Sequence, residues 1–555
     1  MLWCAIKNKL KNVKWLSVFA VVGVIIFAFF VFDKRGDFFD RFFYELKRPF
    51  TWDTTMYYAV GKGMSHGLKP YADLFENKPP MIFFLASISY SLTGDYYLCN
   101  LLSFLLLLLT TLAPTVCAII VLVKNKEKNV VTYALFSLAT LFVGFLVGGY
   151  LQLRSGEVQV ELFGAFFVLA YLLTAKSVKA EKAKLYSPKV IISSVFLMVG
   201  VMFKEPFILI AFASAMLFCA TPKEWLYRFI LPCIYGGFLG VILLICTGTF
   251  IPYLTIYLPH MLNSHISIYG SPFERMKKFE KLLNDIGGYS GLLQGVIVAS
   301  SLYTIIKIFT EKTQDERLLA KIIYFLVKIA KVILIPFIIS FVVGLGGQYY
   351  NHHYIFALPC YVLMIVLAFE DLGLLLARAK AEQNESKVET DFIGKFVAGV
   401  LCCASIVGLL GIYLLPKPKY DHYDKILTYA ETMKDDAKYV DEILDLLGED
   451  TYQYFGFNGP VFYCYTVHDP KGPVFFQDPN NLQSEDTFFA KNLKRQMQET
   501  NVFIVSYVKC GVLTDYVNEY IKENFILLEK SDKKSLVESV EKPETFKYKI
   551  YIRKS

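Results

Sequence analysis

Charge is scarce in this chain of 555 residues: 19% of its side chains are Asp, Glu, Lys or Arg, whereas 55% are hydrophobic. Soluble domains carry about 25% charged residues, so there is too little polar surface to cover one solvated globule of this length. A mean hydropathy of +0.44 points the same way. The eleven cysteines are odd in number, fall mostly in apolar runs and never form C-x-x-C. They indicate neither a disulfide framework nor a zinc site. Cys464 and Cys510 share a polar C-terminal region, and a bridge between them stays open on sequence alone. No Walker motif or Ser-His-Asp arrangement is present, and GKGMSHG (61–67) lacks the strand and helix context of a nucleotide site. Nucleotide-sugar chemistry is therefore disfavoured. No internal repeat is evident.

What is abundant is apolar sequence, and the chain reads as a polytopic α-helical membrane protein. Its formal charge of +8 comes from lysines in short clusters between apolar stretches rather than along one face, which argues for topology-setting charge and against nucleic acid. Residues 15–32 (WLSVFAVVGVIIFAFFVF) are long enough to cross a bilayer and follow Lys7, Lys9, Lys11 and Lys14, so the N-terminus is expected in the cytoplasm. The run ends FFVFDKR, without the small residues of a cleavage site, and reads as a retained anchor. Further spans are expected near 97–123, 130–150, 158–174, 190–203, 207–220, 229–250, 287–309, 323–347, 354–370 and 396–415, about eleven crossings in all. Alternation then places 124–128, 175–184, 222–228, 311–317 and 377–387 inside, and each carries Lys or Arg. Lys204-Glu205-Pro206 interrupts one apolar stretch, read here as two short helices.

The same alternation puts outside a long loop over 33–96, a turn at 151–157, a loop over 251–286, and the stretch from Gln348 to His353. All seven histidines land on that side. The division expected is a membrane domain over 1–416 and an extracytoplasmic soluble α/β domain over 417–555, with 423–447 helical and strands at 502–508 and 545–552.

Connections between spans need few residues, so a first external loop dense in ionisable and aromatic groups asks for a function. It contains PFTWDTTMYYAVGKGMSHGLKPYADLFENKPP (49–80). Asp53 precedes Tyr57 and Tyr58 at a spacing that, on a helix, brings an aromatic ring to the carboxylate's face. A carboxylate partly desolvated by aromatic neighbours favours proton-accepting behaviour. An Asp before a helical run also caps backbone N–H groups, and both readings stay open. Asp73, Glu76, Lys78 and Pro79-Pro80 follow, then an apolar segment over 81–93 that is short for a crossing. Lys78 would sit at headgroup depth, where its ammonium meets a lipid phosphate or simply snorkels.

The order Asp53, Tyr57-Tyr58, Gly67, Pro70-Tyr71, Asp73, Lys78-Pro79-Pro80, Gly94 resembles the first external loop of GT-C membrane glycosyltransferases, which include bacterial relatives of protein O-mannosyltransferases and the lipid A aminoarabinose transferase. The resemblance implies an enzyme that takes a sugar from a polyprenyl-phosphate donor and passes it, with inversion, to a glycan, lipid or protein acceptor at the outer face of the cell membrane. It implies Asp53 as general base on the acceptor hydroxyl. The named relatives usually carry Asp-Glu where this chain has Asp53-Thr54, which points away from protein mannosylation.

Arg154, Glu157 and Glu161 stand at the outer end of a span. Acidic groups entering a membrane are costly unless functional or paired, so Glu157 and Glu161 are read either as sugar contacts or as ion-pair partners of Arg154 or Lys204. Lys204 matches a position often written Lys-x-Pro in the resembling family and is read either as a donor-phosphate contact or as a snorkelling interfacial lysine, whereas His353 matches the family's basic residue before a span, which can face the donor phosphate, with His352 a weaker neighbour. No cofactor is required; loop acids bind a divalent ion in some members, and Asp53 with Glu157 would be the pair here. A transporter or flippase of a lipid-linked glycan is the competing class. Transporters place ionisable groups near the midplane and often duplicate their halves, whereas here polar residues crowd the external ends.

Overall fold

The computed structural model describes residues 52–124, 137–141, 144, 159–265, 291–310, 318–345, 351–382, 423–456, 459–475, 477 and 481–554. The expected spans 15–32 and 396–415, most of 130–150, Arg154, Glu157, the His352 side chain and the boundary at 416–417 lie outside the described residues.

Helices form where the apolar runs predict them. The loop expected outside gives α1 (Trp52–Ser65) and α2 (Met81–Thr93), and the apolar part continues as α3 (Tyr97–Lys124), α4 (Val160–Lys176), α5 (Pro188–Phe203), α6 (Phe207–Ala215) and α7 (Pro222–Cys246). A helical stretch α8 over 250–265, with π turns at Tyr253–Tyr257 and Met261–His265, precedes α9 (Gly291–Thr310), α10 (Leu318–Gly344) and α11 (Leu358–Glu382). Among the described residues, four helices are long and apolar enough to cross a membrane: Tyr97–Lys124, Pro222–Cys246, Leu318–Gly344 and His353–Asp371. The last has 83% of its apolar window buried and forms the centre of the bundle, while α10 has 17% buried and forms its periphery. Helix α2, with 13 residues, is about 20 Å long, short of a 30 Å hydrocarbon core.

The break at Lys204-Glu205-Pro206 is real: Lys204 ends α5 in an extended conformation (φ −161°, ψ 116°). Helices α4 and α5 pack closely where Gly164 faces Gly200; a Cβ on Gly164 would lie 2.3 Å from the Phe207 ring. Segments expected on one side of the membrane meet at one end of the bundle. Arg228 donates to the Val178 and Phe218 carbonyls, and Lys176 pairs with Glu370. At the opposite end Lys204 pairs with Glu161, at 3.3 Å.

The C-terminal region opens with α12 (Tyr423–Leu447) and continues through β1 (Thr451–Phe455), α13 (Gly459–Tyr465), β2 (Asp469–Pro470), α14 (Phe488–Glu499), β3 (Val502–Val505), α15 (Thr514–Asn524), β4 (Phe525–Leu527) and β5 (Lys549–Arg553). The sheet order is β2-β1-β3-β5-β4, parallel through β1–β2 and β1–β3 and antiparallel at β3–β5 and β5–β4. Side chains alternate along the strands. Tyr452, Tyr454 and Ile504 pack beneath α12, while Phe455 and Phe503 face the other way into a core that also contains Tyr57, Tyr71 and Phe83 of the first loop. The C-terminal sheet and the segment bearing α1 and α2 thus share one hydrophobic core. Cys464 and Cys510 are both free and buried, so no bridge joins them.

Candidate functional site

Most of the loop signature is backbone engineering. Gly67, at φ +92°, ends α1 in a left-handed turn in which Leu68 N–H reaches the Gly63 carbonyl, the pattern of a Schellman stop. Asp73 accepts from Lys69 N–H at 2.8 Å and closes the next turn. Pro80 opens α2 and Gly94, at φ +67°, ends it. These residues shape the loop rather than project into it.

Tyr71 is the exception among them, because it adopts φ +68° with a full side chain. A non-glycine residue there costs about 1–2 kcal/mol, which the surroundings must offset. Its ring is buried 4.8 Å from that of Tyr257, with Phe75 and Phe83 edge-on at 6.0 Å. Its hydroxyl donates to the Lys78 carbonyl at 2.7 Å. The strained residue therefore holds the turn that presents Lys78, whose ammonium lies 5.8 Å from the centre of the Tyr57 ring. Tyr71→Phe removes one hydrogen bond, a loss of about 0.5–1.5 kcal/mol of stability, and is expected to lower the melting temperature by a few degrees while the fold survives; thermal unfolding followed by circular dichroism measures it.

Asp53 is the second residue of α1, in the first turn where the helix dipole favours a carboxylate. It is part-buried and accepts from the Gln159 side-chain amide at 3.3 Å. Tyr57 is buried one turn further on, and Tyr58 is buried with its hydroxyl on Asn100 Oδ1 at 2.7 Å and its ring stacked on Tyr96 at 4.0 Å. Tyr58 is thus a packing residue of the α1–α3 contact. Glu76 and Lys78 are half-buried.

Glu161 is buried and pairs with Lys204, the ion-pair alternative of the two sequence readings. The turn Asn351–Ala357, which carries His352 and His353, packs against α4, α6 and α10. Phe356 lies 4.8 Å from Phe207, which places His353 at the same end of the bundle as Lys204. Glu157 lies outside the described residues, so the acidic pair with Asp53 has no geometry to report. Among the described residues, no three His, Cys, Asp or Glu side chains converge as a metal site would require.

Three features carry no sequence signal. Gln159, the N-cap of α4, reaches Asp53 only through tertiary packing. Glu205, next to Lys204, accepts from the Tyr253 hydroxyl at 3.0 Å across the break between α5 and α6. His260 sits edge-on between Phe75 and Phe489, and burial pushes it down to about 4, so it is neutral near pH 7.

Beside this cluster lies an apolar cavity of about 480 Å³, within the usual range of small-molecule sites, about 300–1,000 Å³. Its long walls come from α5 and α7, with Leu197, Val201, Cys233 and Gly237 among them, and Pro80, Glu205 and Tyr253 also line it. Pro80, two residues after Lys78, thus brings the start of α2 to the wall of this apolar cavity.

No family model and no curated protein matches the chain. Among solved structures, the crystal structure of ArnT from Cupriavidus metallidurans bound to undecaprenyl phosphate matches 96% of this chain and 97% of that one, with a TM-score of 0.50 and 11% identity. Sequence comparison is silent and the likeness is one of architecture along the whole length. The chain therefore shares its fold with that ArnT structure along nearly its whole length.

Proposed function

We propose that the protein is an inverting membrane glycosyltransferase that takes a sugar from a polyprenyl-phosphate donor and gives it to an acceptor hydroxyl at the extracytoplasmic face. The observation that carries this reading is the cavity. It offers a long carrier chain a wall of apolar side chains, and Pro80, two residues from Lys78, is part of its lining. Burying apolar chain there is favourable by about 25 cal/mol per Å², and a part-buried ammonium is worth most against a phosphate where water is scarce.

The chemistry follows from where the charges stand. Asp53 takes the proton of the acceptor hydroxyl as its oxygen forms a bond to the anomeric carbon. On the opposite face the bond from that carbon to the phosphate oxygen breaks, and the electron pair leaves on the carrier phosphate. Lys78 offsets the charge that develops there, with Lys204 and His353 as further cationic or hydrogen-bonding groups at that end of the bundle. Gln159 holds the Asp53 carboxylate through one hydrogen bond, which leaves further lone pairs free for the acceptor. Tyr57, Glu76 and Glu157 are assigned sugar contacts in this same reading.

Gly237 tests the carrier slot directly, because a Cβ built there meets open space. Filling the slot in Gly237→Phe displaces carrier chain from apolar wall worth about 25 cal/mol per Å², about 1–3 kcal/mol for the area a phenyl ring covers, which is roughly a 5- to 150-fold rise in donor KM. The kinetic constant kcat at saturating donor stays close to wild type. A variant with unchanged donor KM places the carrier elsewhere.

A further inference from the structure

Helix α1 carries a second ionisable residue that the proposed chemistry does not use. Lys62 is 1% exposed, and lysine is almost never fully buried without partners. Its ammonium donates to two main-chain carbonyls of the C-terminal region, Tyr463 at 2.7 Å and Thr466, and lies 4.4 Å from the centre of the Tyr463 ring. Tyr463 is in the last turn of α13. The final carbonyls of a helix have no intrahelical donor and form the negative end of its dipole. A cation from α1 therefore caps the C-terminus of α13.

The contact extends along both helices. Near Asp53, Cys464 Sγ donates to the Thr55 carbonyl at 3.7 Å. Beyond Lys62, the Tyr463 hydroxyl donates to Asp469 Oδ1 at 2.6 Å, and the same oxygen meets His66 Nδ1 at 2.9 Å. Gly63 lets the helices approach, since a Cβ there would lie 3.1 Å from the Tyr463 hydroxyl. Phe75 N–H then reaches the Pro473 carbonyl at 3.2 Å. Removing a charge from water is expensive, and well-packed apolar residues often replace buried ionic groups without loss of stability. A directed cation between two helices, by contrast, fixes their register.

We infer that Lys62 is a positioning residue: by clamping the C-terminal end of α13 onto α1 it sets the orientation of the Asp53 carboxylate, so that the C-terminal sheet region is a working part of the transfer site. The inference rests on the proposed transferase reading. It gives the C-terminal region a task that its sequence does not announce. Burial lowers the Lys62 ammonium to about 8, opposed by the facing carboxylates of Asp469 and Asp441, so the clamp is mostly charged near pH 7.

The test uses the full chain in nanodiscs, with Lys62→Met and Lys62→Gln compared with wild type by amide hydrogen exchange and by transfer kinetics. Lys62→Met is expected to leave donor KM within about twofold and to lower kcat about 10- to 100-fold, the scale of a small misplacement of a reacting group. Exchange over 54–62 and 459–466 rises together, while α5 keeps its protection. Lys62→Gln, which can still donate to a carbonyl, recovers part of kcat. Wild-type kcat in Lys62→Met, or faster exchange over 459–466 with 54–62 unchanged, overturns the inference. Where Lys62→Met does not accumulate, Lys62→Gln decides by the same two readouts. Should wild type transfer no sugar from any polyprenyl-phosphate donor, the transferase reading falls, while the exchange data still decide whether α13 holds α1.

Discussion

Replacing Asp53 by Asn is expected to leave the chain folded and to cut sugar transfer 10²- to 10⁴-fold, the usual worth of a positioned general base. Asparagine keeps the shape of the side chain and an oxygen that accepts the Gln159 amide, so the 3.3 Å contact that orients the wild-type carboxylate survives. It cannot take a proton from the acceptor hydroxyl. The loss should fall on kcat, with donor KM unchanged, because the carrier phosphate and prenyl chain are held by other residues. Single-turnover rates of sugar transfer measure this. A rate within a few-fold of wild type would mean that Asp53 serves α1 through its first-turn position alone.

The second large effect is expected at Lys78. Lys78→Gln removes the ammonium but not the turn, because Tyr71 bonds the Lys78 main-chain carbonyl and the side chain takes no part in that bond. Removing one preorganised group from a developing negative charge typically costs 10²- to 10³-fold, and kcat/KM for the donor should fall by that amount. Lys78→Arg should retain more activity, though not all, since a guanidinium presents its charge as a planar fork rather than as a point. Steady-state kinetics against donor concentration separates the outcomes. Wild-type kcat/KM in Lys78→Gln would move the phosphate to Lys204 or His353, and of these Lys204 is already engaged by Glu161.

The helices were legible because an apolar run longer than a turn can satisfy its backbone only by closing on itself in an apolar medium. Even the break at Lys204-Glu205-Pro206 was visible, since proline and adjacent charges both oppose a continuous helix there. The strands expected at 502–508 and 545–552 from their alternation form over 502–505 and 549–553. The function of the loop residues was less legible than their presence. Asp73 stood among the candidate substrate contacts and Gly67 and Gly94 in the loop pattern, and the structure uses all three to close turns and end helices. Nothing local distinguishes those roles, because an aspartate that caps and one that binds have the same neighbours in sequence.

Gln159, Glu205 and Lys62 were not legible at all. Each acquires its role from a partner far away in the chain: Gln159 from Asp53, Glu205 from Tyr253, Lys62 from Tyr463 and Thr466. Periodicity reports only what one element buries, not which element comes to cover it. The same reason hid the shared core of the loop and the C-terminal sheet. Polarity and length made 417–555 read as a separate domain, yet Phe455 and Phe503 pack with the loop residues Tyr57 and Phe83.

The central claim is transfer of a sugar from a polyprenyl-phosphate donor with Asp53 as base. Its most direct test is mass spectrometry of envelope glycans and glycolipids in wild type, in a deletion strain, and in the deletion strain carrying Asp53→Asn at equal membrane abundance. A sugar absent from both the deletion and the Asp53→Asn strain is the predicted result, and the missing mass names the product. A glycan restored by Asp53→Asn would contradict the account and return the chain to the transporter class.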